Sequence, residues 1–289
     1  MVQQTSPVAS SGMLTLGGDL TVYRLGFGTM RLTGKGIWGP PADKPEALAV
    51  LRRAVALGVN FIDTADSYGP QVSEQLIAEA LYPYPKGVVI ATKGGYQRPG
   101  PDQWEPDGRT EHLREALEGS LKRLRLNRID VYQFHTPDPN VPFERSVETL
   151  AQLRQAGKIR HIGLSNVDAD QLARAQQIVP IVSVQNRYNL VDRSSEDLID
   201  LCARQNLAFI PWFPLASGAL AQPGGVLDRI AKAHQATPVQ IALVWLLQRS
   251  RTMLPIPGTS KVPHLEEIVS AVEIHLSEQE FQDLAKLRP

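Results

Sequence analysis

Four side chains in this sequence are of the types needed to deliver a proton to a developing alkoxide. Asp63 and Tyr68 stand five residues apart in DTADSYG, Lys93 follows the run VVIAT, and His135 follows DVYQF. A free tyrosine titrates near about pH 10 and is a poor acid at neutrality. A neighbouring ammonium favours the phenolate and lowers that value, and Lys93 is the candidate to supply it. In this reading Asp63 holds Lys93, and His135 orients a carbonyl or shares the proton. Such general-acid catalysis contributes about a hundred- to ten-thousandfold.

Each of these residues ends or follows a short apolar run, so the elements that carry them come next. Runs rich in β-branched and apolar residues recur at 23–28, 59–63, 88–92, 130–135, 161–165, 182–185, 208–212 and 253–256. Between them lie amphipathic stretches at 45–57, 73–80, 110–124, 143–156, 169–177, 195–205, 238–248 and 265–271. Leu48, Leu51 and Val55 fall on one side of the first helix, and Leu113, Leu117, Leu121 and Leu124 form a stripe on the third. Gly58 and Gly157 sit where a helix should stop. Nearly continuous apolar strands alternating with helices predict a parallel sheet covered by helices, and eight such units close a (β/α)8 TIM barrel.

Two additions are expected at 227–236 and 277–287, the latter a C-terminal helix. At the other end, Gly17-Gly18 between MLTL and DLTV signals an N-terminal β-hairpin with a two-residue turn. A doubly wound fold would need a third glycine after Gly26-Phe27-Gly28 and a following acidic residue; both are missing. No Gly/Ser/Pro-rich linker divides the chain, so residues 1–289 read as a single domain. The barrel prediction puts Asp63, Lys93, His135, Ser165, Asn166, Gln185 and Trp212 at one rim, where barrels carry their active sites. Any one of them alone would pass for a solvated loop residue.

Composition limits the partners. The 289 residues are 43% hydrophobic with 30 basic and 30 acidic side chains, a globular profile without the electrostatic excess that nucleic acid requires. No run of eighteen apolar residues and no signal-peptide pattern is present, so the expectation is a cytoplasmic protein, a monomer or weak homo-oligomer, acting on a small-molecule carbonyl substrate. The single cysteine, Cys202, reads as a small buried apolar residue.

The segments GVNFIDTADSYG, ATKGG, QFH, GLSN and VQNRYN, with the tail IPGTSKVPHLEE, resemble the aldo-keto reductases from about residue 22 to 287. The resemblance implies an NADPH-dependent reduction of aldehydes or ketones, with Tyr68 as general acid and Asp63, Lys93 and His135 completing a tetrad. It places Ser165, Asn166 and Gln185 at the nicotinamide carboxamide and Trp212 against the nicotinamide ring. Leu215, Ser217 and Gly218 would wrap the pyrophosphate, and Gly258, Thr259, Ser260, Lys261 and His264 would grip the adenosine 2′-phosphate. The sequence departs from the common pattern at His264, where many members carry arginine, and at Glu267-Ile268, where many carry Glu-Asn. Glu267 keeps the implied adenosine-side role.

Within the family LTGKGIWGPP, SEQLIAEALYPYP and IALVWLLQRS are similar to a bacterial branch that includes pyridoxal reductases. Ile37, Trp38, Tyr96, Trp104 and Phe213 could then form an aromatic pocket. The competing readings are a broad-specificity aldehyde reductase with the same tetrad, a nucleotide-binding regulatory barrel, and a metal-dependent barrel hydrolase. The last would need several converging metal ligands, whereas His112, His161, His234, His264 and His275 are scattered and no metal site is expected.

Overall fold

The computed structural model describes residues 6–214 and 224–287. The chain opens with strands β1 (Met13–Leu16) and β2 (Leu20–Tyr23), paired antiparallel with Leu16 opposite Leu20. The connection is therefore a three-residue loop, Gly17-Gly18-Asp19, rather than the two-residue turn expected. Both glycines have positive φ, 60° and 82°. A Cβ on Gly17 would lie 2.1 Å from the His161 ring, so the loop closes only with glycine there.

Seven strands then build one parallel sheet: β3 (Phe27–Gly28), β4 (Phe61–Asp63), β5 (Val89–Gly94), β8 (Ile129–Phe134), β9 (Ile159–Ser165), β10 (Ile181–Gln185) and β11 (Ala208–Phe209). The pair β6 (Tyr96–Gln97) and β7 (Glu105–Pro106) forms a small antiparallel hairpin after β5 that the sequence reading did not anticipate. The first expected barrel strand, 23–28, is divided: Tyr23 completes the hairpin and only Phe27–Gly28 pairs in the barrel.

The eighth expected strand, 253–256, is reduced to a bridge between Met253 and Phe209. It still closes the barrel. Leu254 N donates to Phe209 O at 2.9 Å on one side, while Pro255 O and Pro257 O accept from Gly26 N and Gly28 N at 3.0 and 3.2 Å on the other. Pro255 and Pro257 have no N–H to donate, which limits a regular ladder here.

Ten helices cover the described sheet: α1 (Lys44–Ala56), α2 (Val72–Leu81), α3 (Thr110–Leu124), α4 (Phe143–Gln155), α5 (Ala169–Gln176), α6 (Glu196–Gln205), α7 (Val226–Ala233), α8 (Pro238–Arg249), α9 (Val262–Ser270) and α10 (Glu278–Ala285). Their starts are chemically specified. Asp168, Thr237 and Ser277 make complete capping boxes with Gln171, Gln240 and Glu280. The α3 leucine stripe is buried as read. On α1 the fully buried stripe is Ala47, Val50, Leu51 and Ala54, with Leu48 and Val55 only flanking it, because small residues let the helix approach its neighbours.

Two apolar layers result. One fills the space between sheet and helices. The other lies inside the barrel, where Leu14, Leu16, Leu20 and Val22 of the hairpin meet inward residues such as Phe61, Val89 and Val131, plugging the N-terminal end of the strands. Cys202 is buried in the outer layer, and that burial pushes its thiol up to about 12. Among the described residues no helix is long and apolar enough to cross a membrane.

Candidate active site

Strand periodicity explains why charged groups collect at the mouth. Along β5, Val89, Ala91 and Lys93 share the inward face, and along β8 so do Val131 and Gln133, with His135 following just past the strand end at the cavity, apolar at the base and polar at the top. Asp63 ends β4 in register with Ala91. Lys93 and Asp63 are both essentially inaccessible to solvent, at 0% and 1%.

Lys93 Nζ donates to Asp63 Oδ1 at 2.6 Å, to the Thr64 carbonyl at 2.8 Å and to Tyr68 Oη at 3.2 Å, using all three ammonium donors. The other carboxylate oxygen, Asp63 Oδ2, accepts from Gln133 Nε2 at 3.0 Å and Gln185 Nε2 at 2.9 Å. A buried ion pair is tolerable only with such full satisfaction. Burial pulls the Lys93 ammonium down, but Asp63 and Tyr68 outweigh it, and the net shift is upward.

Tyr68 differs from the sequence expectation. Burial raises its phenol above the ordinary value of 10.0, and the lowering by Lys93 does not cancel this. The phenol therefore rests protonated with the ammonium beside it. His135 is held well below 6.5 by burial first, then by Lys93 and Arg98, so its imidazole is neutral near pH 7. Its Nδ1 meets Ser67 Oγ at 3.4 Å, and its ring lies edge-on to Tyr68 at 5.9 Å.

These groups open onto a cavity of ≈ 550 Å³. Tyr96 and Trp104, packed edge-on to each other, form an aromatic stretch of its wall, and Ser165, Asn166, Trp212 and Phe213 line it as well. Of the aromatic pocket expected from sequence, Ile37 and Trp38 do not line the cavity. The family model of the aldo/keto reductases, "Aldo/keto reductase family", matches residues 24–289. The chain belongs to that family.

Its relatives include the uncharacterised oxidoreductase C215.11c of Schizosaccharomyces pombe, 53% identical over 92% of this chain and 87% of that one. Pyridoxine 4-dehydrogenase of Escherichia coli is 44% identical over 95% of this chain and 98% of its own. Among solved structures, an aldo-keto reductase from Klebsiella pneumoniae in complex with NADPH superposes with a TM-score of 0.79 at 25% identity, covering 94% of this chain and 93% of that one.

On the side of this reductase expected to hold cofactor, Asn166 adopts φ 57° and donates from Nδ2 to the His135 carbonyl at 3.0 Å, while its Oδ1 accepts from Trp212 Nε1 at 3.0 Å. Ser165 and Gln185 are buried beside them at the cavity floor. Gly258 lies on the opposite lip, where a Cβ would come 2.4 Å from Gly28 O, so the closing segment can approach β3 only without a side chain. Thr259 Oγ1 accepts from Lys261 N at 3.2 Å. Ser260, Lys261 and His264 are exposed around the N-terminus of α9, a position that favours an anion.

Glu267 is engaged within the protein, its Oε1 accepting from Thr237 Oγ1 at 2.6 Å. Ile268 points into the core at 5% exposure and cannot copy a polar adenine contact. Leu215, Ser217 and Gly218 lie outside the described residues. Among the described residues no cluster of three His, Cys, Asp or Glu could hold a metal ion.

Three contributors were missed by sequence reasoning. Gln133 carried a legible signal, being polar in an inward position of an apolar strand. It fits because Gly163 faces it, where a Cβ would stand 3.0 Å from Gln133 Cγ. Ser67 gave no such signal. Arg31, which lines the cavity near Gly258, follows β3 as an ordinary loop cation would.

Proposed function

We propose that this aldo/keto reductase reduces an aldehyde or ketone with NADPH, Tyr68 donating the proton, and that a polar aromatic aldehyde of the pyridoxal kind is its substrate. The observation that carries the reading is the contact of Lys93 Nζ with both Asp63 and the Tyr68 phenol. As a carbonyl oxygen gains negative charge, Tyr68 gives up its proton, and the adjacent ammonium stabilises the phenolate left behind. Neutral His135 presents a ring N–H to the same oxygen, and its low affinity for protons keeps it from competing with Tyr68. NADPH supplies the hydride. By microscopic reversibility the same groups serve alcohol oxidation, with the phenolate accepting the proton.

Support for the cofactor comes from the exposed cation Lys261 at the start of α9, the hydroxyls of Thr259 and Ser260 beside it, and the side-chain-free approach at Gly258. The NADPH bound by the Klebsiella relative agrees with this. Support for the substrate comes from Tyr96 and Trp104, set edge-on at 5.3 Å beside His135 and able to flank a flat heterocycle, and from the E. coli relative that is named a pyridoxine 4-dehydrogenase.

The same wall offers mainly ring surface, which favours a broad-specificity aldehyde reductase as the second reading. Measuring kcat/KM for pyridoxal, benzaldehyde and a short aliphatic aldehyde with saturating NADPH separates them. A dedicated site pairs the ring hydroxyl and hydroxymethyl of pyridoxal and loses a large factor without them. Pyridoxal no better than benzaldehyde leaves the general reductase.

A further inference from the structure

Arg98 takes no part in the tetrad, does not line the cavity and was not singled out by its sequence context, yet it binds three loops together. It sits half-buried just after β6. Its Nη1 donates to the Ser67 carbonyl at 2.7 Å, its Nη2 to the Gly36 carbonyl at 3.1 Å and its Nε to the Gln103 carbonyl at 2.7 Å. These acceptors belong to the loop after β3, the loop carrying Tyr68, and the β6–β7 hairpin. The guanidinium also lies 3.7 Å from the ring centroid of Trp104, a stacking distance.

Trp104 in turn meets Tyr68 at 6.3 Å, Tyr96 at 5.3 Å and His135 at 6.2 Å, all edge-on. The Tyr68 loop is joined to the loop after β3 a second time, with Gly39 N donating to Gly69 O at 2.7 Å. Among the described residues the Trp104 indole makes no hydrogen bond; it is placed by these three ring edges and by one stacked cation, and that cation is itself held by three carbonyls. Five donors in a rigid plane fit carbonyls on three sides; an ammonium has one nitrogen and no face to stack.

We infer that Arg98 is a positioning residue that sets the substrate-facing wall, so that preference for flat ring carbonyls over aliphatic ones depends on Arg98 holding Trp104 against the site. This rests on the carbonyl-reductase reading alone, whose failure would appear as no turnover of any aldehyde by the native protein. Rigid placement of a binding wall lowers the ordering cost of the substrate that uses it and does little for one that does not.

The test compares native protein, Arg98→Lys, Arg98→Ala, Trp104→Leu and Arg98→Ala/Trp104→Leu, each loaded with NADPH. Steady-state constants are measured for pyridine-4-carboxaldehyde and propanal, and NADPH affinity by fluorescence titration. Arg98→Lys and Arg98→Ala are each expected to lose about tenfold in kcat/KM for the ring aldehyde, chiefly through KM, on the scale of one aromatic contact and its pre-organisation. Propanal kinetics at about pH 7 and NADPH affinity should change less than about twofold in the same proteins, because burial and Lys93, the two larger causes, still keep His135 neutral without Arg98. The double variant should be no worse on the ring aldehyde than Trp104→Leu alone, since both remove one device. Rescue by lysine, equal losses on the two aldehydes, or additive losses in the double variant would each overturn the inference. Because Arg98→Lys keeps a cation at the position, its loss of ring preference tests the inference even if Arg98→Ala fails to fold, and native-like ring preference in it overturns the inference.

Discussion

The two ends of the barrel interior solve opposite problems with the same strands. At the base, Leu16 of the hairpin and inward residues such as Phe61 and Val131 make a dry apolar plug, where any well-packed side chain of suitable volume serves. At the mouth, two to four residues further along the barrel strands, a lysine, an aspartate and two glutamines are buried and mutually bonded. There each polar atom depends on a specific neighbour. The base therefore contributes stability through area and packing, while the mouth holds charges whose burial costs free energy and whose arrangement can act on a substrate.

Substitutions at the mouth and base should accordingly fail in different ways. The largest effect is expected for Lys93→Met, which leaves Asp63 buried without its cation. Stability should fall by about 3–5 kcal/mol and carbonyl reduction should be lost. Denaturant unfolding together with turnover checks both, and a stable, active variant would contradict the assigned pairing. Tyr68→Phe should instead fold normally and bind NADPH as before while losing about a hundred- to ten-thousandfold in turnover. Native-like turnover in that variant would remove Tyr68 from the reaction.

Leu16→Ala, at the base, is expected to cost about 2–5 kcal/mol of stability with unchanged kcat at a temperature where it stays folded. A fall in kcat there would mean that the two ends are coupled. Smaller again is Lys261→Ala, expected to weaken NADPH by roughly tenfold or more, since a charge-assisted contact contributes about 1.5–3 kcal/mol, and to leave NADH nearly unchanged. Equal losses for the two cofactors would detach Lys261 from the 2′-phosphate.

A buried carboxyl in the loop that carries Tyr68 also has a pH-dependent cost. Burial, then the Glu74 carboxylate, pushes the Asp66 carboxyl up to about 8, and its Oδ1 is buried without a partner. Between 3.8 and about 8 the folded state holds a proton that the unfolded chain has released. Stability from this group is full at the low end and falls as pH rises through that window. Asp66→Asn removes the titration, so its stability should gain on the native protein by roughly 4 kcal/mol as pH rises from about 5 to about 9, at about 1.4 kcal/mol for each pH unit between about 5 and the folded value. A constant difference across that range would show Asp66 ionised throughout.

Much of the site was legible because parallel strands have period two and end at one rim. That rule places Asp63, Lys93 and His135 together from sequence, and DTADSYG then brings Tyr68 over them. The Gln133 contact was open to the same reasoning applied one inward position earlier. The Arg98 contacts were not, because its partners are main-chain carbonyls at 36, 67 and 103, which any residue types would present.

What the sequence determined by itself was the alternation of strands and helices, the barrel, the family and the four residue types at the rim, all local patterns that survive without coordinates. Tertiary structure decided the rest. The proline-interrupted segment 253–257 closes the barrel through bonds to both neighbours although its own pattern predicts a full strand. The direction of the Tyr68 shift is likewise a sum of burial and charge, and sequence shows that Lys93 is present but not how completely water is excluded from the phenol. Desolvation depends on every element packed around a group, and it outweighed the one charged neighbour that the sequence made visible.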